Sequence, residues 1–209
     1  MATKPVSANF KDVDKETVLR ARSLVQGGSK DPLTPPDDAR ASKSDKCEYI
    51  RWTERVTVTA AYRTTTNKGL MDVTLALKIR QSEKNEGRSF FAHFYLNNGD
   101  DISEGHTIMN ERSTGSIVSL LSSAGLMPTT GTLKASFLAK MFPEKGNPGV
   151  AASPIVGKSV TASVVQQVEE AKDFKTGKKK PDNKDGSPAM SRRDSAETFL
   201  PDVATPDEA

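Results

Sequence analysis

The segment Arg88-Ser89-Phe90-Phe91-Ala92-His93-Phe94-Tyr95-Leu96 alternates with a period of two. Successive side chains of a strand point to opposite faces. One face then carries Phe90, Ala92, Phe94 and Leu96, which suits a core. The other carries Ser89, Phe91, His93 and Tyr95, a row of rings on the side that should meet water. The run before it repeats the pattern, with Met71, Val73, Leu75, Leu77 and Ile79 opposed to Asp72, Thr74, Ala76, Lys78 and Arg80. A sheet with one buried face and one face of rings and cations suits a single-stranded nucleic acid. Bases stack on rings at roughly 1–3 kcal/mol each while cations track the phosphates.

Period two begins at Arg51. Trp52, Glu54, Val56, Val58, Ala60 and Tyr62 alternate with Arg51, Thr53, Arg55, Thr57, Thr59, Ala61 and Arg63, so this strand has a polar, basic face, and Trp52 goes to the core. Turn residues at 64–69 and 81–87 join it to the two later strands as an antiparallel meander. Beyond Asp101 the period lengthens. Ile117, Val118, Leu120, Leu121 and Ala124 recur at helical spacing and stop at Gly125, and a second helix spans about 132–141 before Pro143. Alternation returns over Lys158 to Val168, and Glu197 to Pro201 reads as a last strand. Between them lies a polar loop, 169–194. Its centre carries eight Lys and Arg against three Asp, a larger surplus than the net +3 of the whole chain.

The order of elements predicts a mostly β fold with a helical insertion at 104–142, namely a five-stranded antiparallel oligonucleotide-binding barrel over residues 47–201. In that barrel the face of strands two and three, with the loops between strands one and two and between four and five, holds nucleic acid. Residues 1–46, rich in Pro and Gly, read as a flexible arm with one amphipathic helix over 12–25. Residues 202–209 form an acidic tail. The expectation is a polar domain with solvated ends, because hydrophobic residues make up only 35% of the 209 and charged residues 27%.

Cys47 is the sole cysteine, which excludes an internal disulfide and fits a reducing, cytoplasmic setting. No apolar run suggests a signal peptide or a membrane span. His93 and His106 are the only histidines, too few for a metal-site argument, and no cofactor is implied. There is no Gly-rich phosphate loop and no Gly-x-Ser-x-Gly elbow, so a catalytic role has little support.

The alternating basic strands at 51–80, the segment Gly157-Lys158-Ser159-Val160-Thr161-Ala162-Ser163-Val164 with the basic loop after it, and the closing Thr198-Phe199-Leu200-Pro201 resemble phage single-stranded DNA-binding proteins of the oligonucleotide-binding type. The resemblance implies sequence-nonspecific binding of single-stranded DNA in replication, recombination or repair. It also implies recruitment of replication or recombination proteins by the acidic tail, although this tail lacks the terminal aromatic of bacterial single-strand binders.

On this reading Phe91 and Tyr95 stack bases, and His93 stacks or meets a phosphate. Arg55, Arg63, Lys68, Lys78, Arg80 and Arg88 lie on or beside the same face as phosphate contacts. Lys172, Lys178, Lys179 and Lys180 clamp the strand from the basic loop. RNA would use the same surface, and the residues do not distinguish the two. A non-enzymatic assembly protein, possessing subunit contacts through the ring face, is the alternative. Whether the chain forms oligomers is left open by the sequence.

Overall fold

A computed structural model describes residues 9–26, 48–81, 86–99, 103–173 and 176–201. Five strands, β1 (Glu48–Thr65), β2 (Met71–Gln81), β3 (Ser89–Leu96), β4 (Ser159–Glu170) and β5 (Met190–Pro201), form one antiparallel sheet in the order β3-β2-β1-β4-β5. The helix α1 (Lys15–Gln26) packs on α2 (Glu104–Ser123), which packs against β3 and β5, and α3 (Ala135–Met141) adds Leu138 and Met141 to the core. The fold is mostly β, with α2 and α3 between the third and fourth strands.

Alternation becomes burial. Exposed and buried residues strictly alternate along β3. Trp52, Val56 and Val58 of β1, the apolar row of β2, and Val160, Ala162 and Val164 of β4 form one core with Leu120, Leu121, Leu133, Leu138 and Phe142. The α2 helix starts at the Ser103 cap and ends where Gly125, at φ 69°, turns the chain into the left-handed region. There the Leu126 N–H reaches back to the Leu121 carbonyl at 2.8 Å, a termination that glycine permits without steric cost.

One departure within β1 reorders the outer face. Val58 pairs with Leu77, but Ala60 pairs with Ala76, so Thr59 is an extra residue. A one-residue insertion reverses the facing of everything beyond it. Ala61 therefore joins the core, Tyr62 turns outward beside Thr74, and Arg63 turns inward beside Val73.

The expected barrel is not closed: among the described residues no hydrogen-bonded ladder joins β3 to β5. The two edges still meet, Phe94 against Phe199 edge-to-face at 6.2 Å and Arg88 against Asp194 at 2.5 Å. The α2 helix lies in the seam and takes the backbone groups that a closing ladder would use. Ser113 Oγ donates to the Tyr95 carbonyl at 2.7 Å, Ser116 Oγ to the Glu197 carbonyl at 2.5 Å and Ser123 Oγ to the Phe199 carbonyl at 2.9 Å. Ser119 Oγ accepts the Phe199 N–H at 3.2 Å. Steps of three and four put these serines on one helix face. Ser119 is 2% exposed, so Ser119→Ala strands a buried donor and should cost about 1–3 kcal/mol in urea unfolding. Ser122→Ala, on the exposed side of the same helix, should cost less than about 0.5 kcal/mol.

Part of the expected N-terminal arm packs on the domain, and α1 covers much of the expected helix. Phe10 and Val18 are buried, and Val13 and Leu133 exchange backbone hydrogen bonds at 2.8 and 3.0 Å. Asp12 accepts from Lys134 Nζ at 2.7 Å and from the Ala135 N–H at 2.8 Å, contacts that hold its carboxyl below the usual range. Cys47 and the acidic tail lie outside the described residues. Among the described residues, no helix is long and apolar enough to cross a membrane.

Candidate nucleic-acid interface

The register of β1, β2 and β3 sets side chains on the outer face in rungs. Starting from the β1–β2 turn, the rungs are Thr64–Asp72–Tyr95, then Tyr62–Thr74–His93, then Ala60–Ala76–Phe91, then Thr57–Lys78–Ser89. Phe91 is 53% exposed and Tyr95 39%. Residues two apart on one strand face lie about 6.6–6.8 Å from each other. Phe91, His93 and Tyr95 thus form a row of rings at that spacing, with His93 stacked nearly parallel to Tyr95 at 6.2 Å and 9°. Asp72 braces the row: its carboxylate lies 3.0 Å from His93 Nδ1, and Thr74 Oγ1 is 3.3 Å from the same nitrogen.

Cations border the rings on one side. Lys78 is exposed on the rung beyond Phe91, and Arg80 is exposed next to it, with Nη1 donating to Ser159 Oγ at 2.9 Å. Arg55 is half-buried on the same face, opposite Thr161 of β4. Lys68 is exposed in the β1–β2 turn, which follows directly on the Thr65–Met71 pair at the Tyr95 end.

Two expected phosphate contacts lie on the other side of the sheet. Arg63, turned inward by the bulge, donates to the Phe142 carbonyl at 2.9 Å and stacks over the Phe10 ring at 5.5 Å. Arg88 shares the facing of Phe90, because Ile79 of the core takes its carbonyl at 2.9 Å. Its guanidinium closes on Asp194, which is 3% exposed and also accepts from Gln166 Nε2 at 2.7 Å. Both arginines hold the fold together.

The lysine-rich segment is likewise not brought to the rings. Among the described residues, Val168 is the last β4 residue paired with β1, at Glu48; beyond it β4 and β5 run on as a paired arm. From Ala60, beside Phe91, to Glu48 the path along β1 is roughly 40 Å at about 3.3 Å per residue. Ala171 bonds Ala189 and Lys180, each at 2.7 Å, and Lys172 bridges Lys179, so the predicted loop is narrower and more ordered than its composition suggests. Lys179 binds Glu170 at 2.9 Å and faces Asp182 at 3.8 Å; the Glu170 hydrogen bond holds its ammonium above the usual lysine range. Lys172, Lys178 and Lys180 are exposed on the arm.

Three residues of the face escape a reading by period. Tyr62 falls on the apolar side until the Thr59 bulge is known. Asp72 reads as a solvated carboxylate, yet it is only 9% exposed. Lys145 comes from the loop after α3, which docks beside β1 through Arg63 N–H to Pro143 and Lys145 N–H to Arg63, both 2.9 Å. This sets the Lys145 ammonium 5.4 Å over the Tyr62 ring.

No protein-family model and no curated protein matches this chain. The face is therefore described by its own geometry: exposed rings in a row with exposed cations beside them. A cleft of about 200 Å³ lies elsewhere, between the docked segment at 10–17, the end of β3, α2 and α3. Among the described residues no three His, Cys, Asp or Glu side chains gather as a metal site.

Proposed function

We propose that the outer sheet face binds single-stranded DNA without sequence preference, in the manner of phage single-strand-binding proteins acting in replication or recombination. The observation that carries this is the exposure of Phe91 and Tyr95 in one row with His93, on the face that also bears Lys78 and Arg80. The rings offer stacking platforms of about 1–3 kcal/mol per base, and every base has a π-face, so sequence matters little. The strand order, with helices between the third and fourth strands, supports reading the domain as an open relative of the oligonucleotide-binding barrel. The lysine arm offers a second contact on a long strand, and the acidic tail a site for protein partners.

Fluorescence anisotropy with a labelled oligothymidylate tests the reading. Binding should be strong at low salt and weaker for duplex of the same length; no binding, or equal affinity for duplex, overturns it. Lys78→Ala with Arg80→Ala should flatten the log–log salt dependence by about 1.4, since each single-strand phosphate contact contributes about 0.7. Exposed rings also fit a subunit contact in an assembly protein. A salt-insensitive oligomer by light scattering, with no DNA affinity, would favour that second reading.

A further inference from the structure

We propose that Asp72 is a positioning residue that makes His93 a proton-linked phosphate contact: binding of a single strand takes one proton from solvent onto His93 Nε2. The inference deepens the DNA-binding reading and rests on it.

Both oxygens of Asp72 lie against His93 Nδ1, at 3.0 and 3.2 Å. A carboxylate only accepts, so Nδ1 carries the hydrogen. In the neutral ring Nε2 is then a bare acceptor. Among the described residues the polar partners of this imidazole, Asp72 and Thr74, both sit at Nδ1, on a side chain that is 42% exposed. A phosphate oxygen at physiological pH also only accepts, and a bare Nε2 offers it nothing. The imidazolium has a donor at each nitrogen and bridges Asp72 to a phosphate. The proton comes from solvent and stays on Nε2 in the complex; no covalent bond between heavy atoms changes.

Among the described residues, Asp72 is the charged group in hydrogen-bond contact with the ring. Asp72 and Thr74 face it from β2, Phe91 and Tyr95 flank it on β3, and Tyr62 stands on the same rung from β1 with the Lys145 ammonium over its ring. Lys78, two rungs away, is the next cation. The other histidine, His106, is engaged at the start of α2 with Asn97 and Ser103, at 2.9 and 3.1 Å.

The test is oligothymidylate anisotropy from pH 8 to pH 5.5 at fixed ionic strength, the span over which an imidazole ordinarily changes charge. Wild type should bind more tightly as pH falls, by up to about tenfold per unit at the steepest point, the limit for one proton taken up. Its salt slope should steepen by about 0.7 toward low pH. His93→Gln, whatever its affinity at pH 8, should show neither change. Asp72→Asn lets Nδ1 accept from the amide, so neutral His93 can present Nε2–H; this variant should bind more tightly than wild type at pH 8 and depend less on pH. Calorimetry of wild type in two buffers of different ionisation enthalpy counts the proton without a variant. Binding with equal pH profiles in wild type and His93→Gln, or no proton taken up, overturns the inference and leaves the DNA-binding reading standing. Absence of binding at every pH overturns both.

Discussion

Replacing Phe91 and Tyr95 together by Ala should lower affinity for a single strand at least about thirtyfold and leave the domain folded. Each base–ring stack is worth about 1–3 kcal/mol, so two contribute at least about 2 kcal/mol. Every 1.4 kcal/mol is tenfold in affinity. The fold should tolerate the change because both rings point to solvent, at 53% and 39% exposure, while Phe90 and Phe94 between them keep β3 anchored in the core. Anisotropy at constant salt reads the loss, and a thermal melt checks the fold. The salt slope should stay as in wild type, since no phosphate contact is removed. Unchanged affinity would mean that bases do not lie on this row, and the ring face would then fit the subunit-contact reading. A loss confined to Phe91→Ala or to Tyr95→Ala would tell which end of the row the strand occupies.

The second large effect concerns a residue that sequence placed on the DNA face. Arg88→Ala should destabilise the domain by about 3 kcal/mol in urea unfolding, because it leaves the carboxylate of Asp194, 3% exposed, without its charge partner. The pair also ties the two sheet edges together near the start of β3, so local opening of the seam should rise along with global unfolding. The salt slope of DNA binding should not change in the fraction that stays folded. Arg88→Met with Asp194→Asn should recover part of the stability, since no charge is then left buried and the Asn carbonyl still accepts from Gln166 Nε2. A variant that keeps wild-type stability but weakens DNA binding would instead return the guanidinium to the binding face.

The site was partly legible in the residues and partly misread, for reasons that can be named. The period of β3 was enough to put Phe91, His93 and Tyr95 on one side, because the burial pattern of a strand follows from backbone geometry alone. The same rule applied to β1 failed after Thr59. A bulge is a property of two paired strands, and the single sequence shows no sign of it beyond a run of small residues, Ala60 and Ala61. That one inserted residue moved Arg63 off the face and Tyr62 onto it. Lys172, Lys178, Lys179 and Lys180 are exposed, but their place relative to the rings depends on how far β4 and β5 run beyond the described part of β1.

What the sequence determined by itself is local: the alternation of each strand, the turn at 66–69, the helix stop at Gly125, and hence a mostly β sheet of five antiparallel strands with helices inserted before the fourth. These follow from dihedral and side-chain preferences that act within a few residues. Tertiary structure alone decided which side chains share a rung, whether the edges join, and where Phe10 and Val18 rest. It gave the serines of α2 to the open seam, Asp194 to Arg88, and Phe10 to the core. Such partners stand many residues apart, and they are chosen by the burial and hydrogen-bond satisfaction of the whole chain at once.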